Sequence, residues 1–158
     1  MTYLGVDPGA SGGLAALLPD GAVRATKMLK TPDGILDWLL ELPSPSLGAL
    51  ELVTGYVPRP ERANMAHQGQ PGHSMFSFGV GYGMLQAFLL AASIRYGKVP
   101  PRVWQGKMAP SLKGVKEERK RQLKAVAQRL FPDLTVTLAT ADALLLALYC
   151  KRQHRGIL

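Results

Sequence analysis

The segment LGVDPGASGGLAALLPDG, near the N-terminus, joins two short apolar runs through a glycine-rich turn and closes on Pro-Asp-Gly. The apolar runs predict buried strands over residues 3–7 and 13–18, and the Pro-Asp-Gly turn predicts that residues 22–29 return as a hairpin partner. A chain that begins with three consecutive strands needs a sheet with an antiparallel part. The first strand ends on Asp7, and a carboxylate at the end of a buried strand requires a physical explanation.

After the hairpin the sequence alternates between helical and strand patterns. Thr31 followed by Pro32 is typical of an N-cap and first helical turn, and apolar residues continue this helix to Leu42. Residues 54–74 have no periodicity, which predicts a long mobile loop with a functional role. The remaining predicted elements are a strand over 48–53, a buried helix over 75–94, a strand over 95–99, a helical turn around Trp104, and helices over 117–131 and 140–152. This order predicts a mixed α/β fold.

Composition narrows the class of protein. With 158 residues and 47% hydrophobic content, the chain suffices for one domain over 1–158, with a basic tail over about 151–158. A net charge of +8 attracts polyanions, so nucleic acid is the first partner to consider and an anionic membrane surface the second. No apolar run reaches the roughly 18 residues that span a bilayer, and the N-terminus lacks signal-peptide features. Since Cys150 is the single cysteine, we expect a soluble protein of a reducing cytosol, without a membrane partner.

Three acidic residues stand in apolar surroundings. Asp7 ends the first strand, Glu51 lies inside the strand GALELV, and Asp142 lies in the apolar helix ATADALLLALY. A buried carboxylate without a partner is costly or takes up a proton, and sharing divalent cations is one way to avoid that cost. Mg²⁺ prefers oxygen ligands, and two ions about 4 Å apart can clamp both oxygens of an in-line phosphoryl displacement.

Each acid also has a purely structural interpretation. Asp7 before Pro-Gly could open a turn, and Glu51 could pair with a distant arginine. Asp142 lies two residues after a potential N-cap at Thr140 and could complement the helix dipole. Taken singly, these interpretations compete closely with metal binding. The basic chain and the order of elements together favour convergence of all three acids.

Several segments resemble the RuvC-type Holliday junction resolvases, which have the ribonuclease H-like fold. LGVDPGASGGLA resembles their first-strand motif, ALELV their second acidic strand, and TADALLLALYCKR their final helix with the last acid. SMFSFGVGYGMLQAFLLAA, VPPRVWQ and KEERKRQLKAVAQRLFPDL are similar to the phage and chloroplast branch of that family. The resemblance covers nearly the whole chain. It implies an α/β fold whose mixed sheet, a hairpin of three strands plus parallel strands, is flanked by helices.

The resemblance also implies an activity. It implies a cytoplasmic homodimer that grips a four-way DNA junction and nicks two strands symmetrically through a metal-activated water. Asp7, Glu51 and Asp142 would bind Mg²⁺ or Mn²⁺, with two ions in each active site. The family's long interior helix packs at the dimer interface, which suits Gly79, Gly83 and Met84 here.

The sequence departs from the family pattern at one position. These enzymes usually carry a fourth metal-site residue, Asp or His, three or four positions before the last acid, where this chain has Ala139 and Leu138. Three acids could suffice, another residue such as His73 could substitute, or the chain could be a weakened nuclease. Junction binding should survive in all three cases.

Basic residues gather before and within the helix over 117–131. The candidate DNA-binding residues of this cluster are Lys107, Lys113, Lys116, Arg119, Lys120 and Arg121, with Lys116 as the candidate catalytic lysine. A solvated helix face is the structural alternative. In the loop after Glu51, Arg59 and Arg62 are candidate DNA contacts, and Tyr56 is a candidate for stacking on a base at the junction centre.

Three rival functions differ in class. Sugar kinases and actin-like ATPases begin with a similar Asp-x-Gly turn, but they need a duplicated domain that 158 residues cannot hold. A ribonuclease H or another branched-DNA nuclease would share the fold, and cleavage of an RNA–DNA hybrid would not require a dimer. An architectural junction-binding protein would bind the junction without nicking it, which the missing fourth acid makes a real alternative.

Overall fold

The computed structural model describes residues 1–54 and 71–158, which contain five strands and five helices. These are β1 (Thr2–Asp7), β2 (Gly13–Leu17), β3 (Val23–Lys27), α1 (Pro32–Leu40), β4 (Ser46–Glu51), α2 (Pro71–Ala91), β5 (Arg95–Val99), α3 (Pro101–Met108), α4 (Lys116–Leu130) and α5 (Leu138–His154). Every predicted strand and helix is present, with ends shifted by a few residues. The mixed α/β prediction is therefore confirmed.

The strands form one sheet in the order β3-β2-β1-β4-β5. The β1–β2 and β2–β3 pairs are antiparallel, whereas β1–β4 and β4–β5 are parallel. Helices α3, α4 and α5 cover one face of the sheet, and α1 and α2 cover the other. The structure is thus the predicted hairpin of three strands, extended by parallel strands and flanked by helices.

Helix α5 crosses directly over the central strand β1, and Gly5 is the reason that it can. A Cβ atom at Gly5 would collide with the backbone of Ala143 and Ala147, so only glycine allows this approach. Gly13 at the start of β2 similarly lies against the backbone of Ala139. This close packing fixes the first turns of α5 relative to the carboxyl end of β1.

The N-termini of α1 and α5 are both capped by threonine. Thr31 caps α1 as predicted, since its hydroxyl accepts a 3.2 Å hydrogen bond from the backbone N–H of Gly34. In α5 the N-cap is Thr137 rather than the predicted Thr140, because the Thr137 hydroxyl accepts the N–H of Thr140. Asp142 therefore lies beyond the first turn of α5, and its interpretation as a complement to the helix dipole was wrong.

Helix α2 differs most from its prediction as a buried helix. Leu85 and Leu89 are buried against the sheet, but Phe76 and Val80 are 71% and 55% exposed. The segment Gly72–Ala91 is long and apolar enough to cross a membrane, and only 11% of it is buried. The prediction that no apolar run reaches the length that spans a bilayer was therefore wrong. One face of α2 is left uncovered by the described part of the chain.

The predicted loop and tail have partly different structures. Residues 71–74 belong to α2, and residues 55–70 lie outside the described residues. The first four residues of the predicted basic tail continue α5 to His154, whose Nδ1 lies 3.0 Å from the Tyr3 hydroxyl.

Candidate active site

Asp7 and Glu51 are neighbours at the carboxyl end of the parallel strand pair. The register of β1 and β4 pairs Val6 with Leu50, so the next residue along each strand is one of the two acids. Paired strands lie about 4.8 Å apart, which brings the two carboxylates to one edge of the sheet. The prediction of a strand over 48–53 placed Glu51 inside that strand. In the structure Glu51 is the last residue of β4.

Helix α5 brings the third acid to the same place. Asp142 precedes Ala143, the residue that packs on Gly5, and it therefore lies beside the end of β1. Asp7, Glu51 and Asp142 line one cleft of about 450 Å³, together with Ser11 and Gln105. The three acids, far apart in sequence, therefore line the same cleft, as expected from the sequence.

The electrostatics of the cleft disfavour three negative charges. Burial, followed by repulsion from Asp142 and Glu51, raises the pKa of Asp7 to about 8. Burial also raises the pKa of Glu51 and of Asp142 above their ordinary values. Lys120 opposes the rise in the pKa of all three acids. Without further positive charge, at least one carboxyl group keeps its proton near neutral pH.

Trp104 contacts the acid at the end of β4. Its indole Nε1–H donates a 2.9 Å hydrogen bond to Oε2 of Glu51, and the side chain is fully buried in α3. This hydrogen bond lowers the pKa of Glu51 against the larger effect of burial. This role was not predicted from the sequence, although the VPPRVWQ block contains the residue and the N–H of a buried tryptophan usually has an acceptor.

Helix α4 overhangs the cleft with its basic end. Lys116, Arg119 and Lys120 line the cleft, and they continue the stripe on which Leu123 and Ala127 are buried in the core. Residues three or four apart share a helix face, so the same face is apolar over the core and basic over the acids. Lys120 is half-buried in the cleft and so does not fit the alternative of a solvated helix face, whereas Arg119 is exposed at the rim. Arg119 also donates a 2.8 Å hydrogen bond to Oε1 of Gln105 on α3.

The other predicted DNA-binding residues lie away from the acids. Lys107, Lys113 and Arg121 are exposed and do not line the cleft, so the basic cluster divides into a cleft group and an outer group. Tyr56, Arg59 and Arg62 lie outside the described residues.

A fourth metal ligand is not supplied by the candidates considered from the sequence. His73 is exposed on α2 and borders a separate apolar cavity against α1, and Ala139 packs against Gly13. Across residues 1–54 and 71–158, no three His, Cys, Asp or Glu side chains already form a group that could hold a metal ion. The donor chemistry nevertheless fits a hard divalent cation, since the cleft offers carboxylate oxygens that repel one another until a cation is present.

The strand order, the helices on both faces and the acidic cleft at the sheet edge define an α/β fold of the ribonuclease H-like kind. More particularly, the fold is RuvC-like. The Thermus thermophilus RuvC structure aligns with a TM-score of 0.59 at 19% identity, covering 99% of this chain and 98% of that chain. T. thermophilus RuvC in complex with Holliday junction substrate aligns with a TM-score of 0.64 at 16% identity and the same coverage. No protein-family model matches the chain, and a search of curated proteins finds no match.

Proposed function

We propose that the protein is a divalent-metal-dependent endonuclease that resolves four-way DNA junctions by paired, symmetric nicks. The observation that carries this proposal is the arrangement of three half-buried acids beneath the basic end of α4. Acids at the floor would hold cations, and bases at the rim would hold phosphates. The same surface therefore suits a phosphodiester in a polyanion, in agreement with the net charge of +8.

Asp7, Glu51 and Asp142 would hold Mg²⁺ or Mn²⁺, two ions in each site. Bound there, the cations would supply activation of a water and neutralisation of charge on the scissile phosphate. Burial is the largest cause of the raised pKa values of the three acids, and Lys120 opposes the rise at each of them. Cation binding would displace the proton that Asp7 otherwise retains.

The basic residues of α4 would have two different roles, stabilisation of charge on the scissile phosphate and binding of other phosphates. Lys120 is electrostatically coupled to all three acids, which makes it a better candidate than Lys116 for stabilising charge that develops on the phosphate. Lys116 and Arg119, at the exposed rim of the cleft, are placed to bind flanking phosphates of the same strand. Lys107, Lys113 and Arg121 would bind more distant parts of a branched substrate.

The proposal of a junction as substrate depends on two further points. The solved RuvC complex contains Holliday junction substrate and shares the fold of this chain. Symmetric nicking needs two active sites related by a two-fold axis, and the uncovered face of α2, with Gly79 and Gly83, would form the dimer interface. Met84, also predicted at that interface, is instead half-buried against the apolar core. A Cβ atom added at Gly79 or Gly83 would meet no heavy atom of another described segment within 4 Å, which leaves room for a second copy of α2. Membership of the phage and chloroplast branch, and a cytoplasmic location, stay predictions from the resemblance.

The proposal is tested by incubating the protein with a labelled four-way junction, a linear duplex and an RNA–DNA hybrid, each with EDTA, Mg²⁺ or Mn²⁺. We expect symmetric nicks in the junction alone, only with metal, and none with Asp7→Asn. Preferred cleavage of the hybrid would favour a ribonuclease H. An architectural protein would bind the junction tightly, would not nick it in either metal, and would bind equally well with Asp7→Asn. The missing fourth acid, with alanine at position 139, would then explain the lack of cleavage.

A further inference from the structure

The hydrogen bond from Trp104 holds one carboxylate oxygen of Glu51, a candidate metal ligand, against a side chain of the protein core. The indole Nε1–H lies 2.9 Å from Oε2, within the normal range for a hydrogen bond to a carboxylate. Trp104 is fully buried among α3, α4 and α5, where Met108, Leu123 and Ala143 belong to the same core cluster. A ring held on all sides cannot rotate away from its acceptor.

Of the three candidate metal ligands, Glu51 has the most side-chain rotational freedom. Its side chain is longer than that of Asp7 or Asp142, and it sits at the end of a strand, partly open to the cleft. A glutamate at such a position could bind a cation through one oxygen or chelate it through both. The indole N–H that binds Oε2 competes with a cation for that oxygen. Trp104 donates no hydrogen bond to Oε1.

We infer that Trp104 is a positioning residue that makes Glu51 a one-oxygen ligand and thereby favours Mg²⁺ and Mn²⁺ over Ca²⁺ at this site. The inference rests on the proposed metal-dependent function. Mg²⁺ requires near-octahedral coordination and takes carboxylates through one oxygen, whereas Ca²⁺ takes six to eight ligands and often chelates a carboxylate through both oxygens. A second group that fixes a ligand changes metal affinity by about 10–100-fold when it is removed.

The experiment measures ion affinity and not cleavage. Bound Mn²⁺ is followed by the loss of the free-ion electron paramagnetic resonance signal, and Ca²⁺ is then titrated as a competitor. In Trp104→Phe, which keeps a ring but loses the N–H, we expect the Ca²⁺-to-Mn²⁺ affinity ratio to rise about 10-fold over wild type. Met108→Ala is the matched control, since it removes core volume from the same helix and leaves the indole N–H in place. Its ratio should equal that of wild type.

A second variant covers the case in which Trp104→Phe does not fold. Benzothienylalanine at position 104 keeps the bicyclic shape and replaces the N–H by sulfur, so it deletes only the donor. We expect it to shift the ratio as Trp104→Phe does. An unchanged ratio in whichever of these two variants folds, with Mn²⁺ still bound, would overturn the inference and leave the proposed function standing. Failure of the wild-type protein to bind Mn²⁺ at all would overturn both.

Tryptophan fluorescence gives an independent readout on the same residue. The chain has two tryptophans, so Trp38→Phe leaves Trp104 as the single indole emitter. Paramagnetic Mn²⁺ at Glu51 should quench that emission with the same titration midpoint as the resonance signal. Quenching absent at saturating Mn²⁺ would show that the ion binds away from Glu51, against the inference.

Discussion

Gly5 of β1 lies directly against the backbone of Ala143 in α5, and this contact sets the distance between Asp7 and Asp142. A side chain at position 5 would have to push the helix off the sheet, because the atoms that it would meet belong to the backbone. The geometry of the acids is therefore tied to the packing of the core.

Gly5→Ala should destabilise the protein strongly. Overpacking against backbone costs about 1–3 kcal/mol or more, and here relief of the clash also separates two of the three acids. Gly97→Ala is the matched control, since Gly97 also lies in a strand and an added Cβ there meets nothing within 4 Å. Urea unfolding should show a loss of at least about 2 kcal/mol for the first variant and a change within about 0.5 kcal/mol for the second. Equal effects would contradict the close packing of α5 on β1.

Asp7→Asn should stabilise the metal-free protein at neutral and higher pH. The pKa of Asp7 is raised to about 8 in the folded state from 3.8, so the folded protein holds a proton that the unfolded chain releases. The stability associated with this group is complete below pH 4 and is lost as the pH rises to 8. An asparagine stays neutral, so its advantage should grow over that window to about 2 kcal/mol, or ~4–8 °C in Tm.

Thermal unfolding in EDTA at several pH values measures this difference. Asp37→Asn, at an exposed position of α1, serves as the control and should follow wild type at every pH. A pH-independent difference between Asp7→Asn and wild type would show that Asp7 is ionised in the folded protein.

Lys120→Ala should impair cleavage far more than Lys124→Ala. Both lysines lie on α4, but Lys120 lines the acidic cleft and Lys124 is exposed one turn further on. Removing a positioned donor to transition-state charge costs about 10²–10³-fold in rate. Single-turnover cleavage of a junction with protein in excess should show such a loss for Lys120→Ala and less than a few-fold loss for Lys124→Ala. Similar losses would mean that α4 contributes only a general positive charge.

Val80→Glu should separate the proposed dimer into monomers. Val80 is 55% exposed on the uncovered face of α2, and a carboxylate buried between two such faces would be strongly unfavourable. Leu40→Glu is the control, because Leu40 is 57% exposed on α1, away from that face. Analytical ultracentrifugation should find a dimer for wild type and Leu40→Glu and a monomer for Val80→Glu. A dimeric Val80→Glu protein would place the interface elsewhere.

The residues that could be predicted from the sequence are those with a local pattern. Apolar runs and turn residues located the five strands, and a charge within an apolar run marked Asp7, Glu51 and Asp142. These signals depend on each residue's own neighbours in the chain. That the three acids meet depends on the pairing of β1 with β4 and on the packing of α5 over β1.

The residues that were missed depend on contacts between distant segments. In the sequence, Gly5 is an ordinary strand glycine and Trp104 an ordinary core residue. Their roles are visible only in the packing of α5 on Gly5 and in the hydrogen bond from Trp104 to Glu51. Lys120 has the same charge as its neighbours, and only the continuation of the buried stripe through Leu123 turns it toward the cleft. The burial of α2 was also overestimated, because an apolar sequence does not distinguish a helix of the core from a helix at an interface.

The most direct test of the metal site is diffraction from crystals soaked in Mn²⁺, with anomalous data collected near the manganese edge. The account predicts anomalous density in the cleft, with carboxylate oxygens of Asp7, Glu51 and Asp142 as ligands at about 2.0–2.6 Å. Crystals that show no density in the cleft at Mn²⁺ concentrations that support cleavage in solution would contradict it.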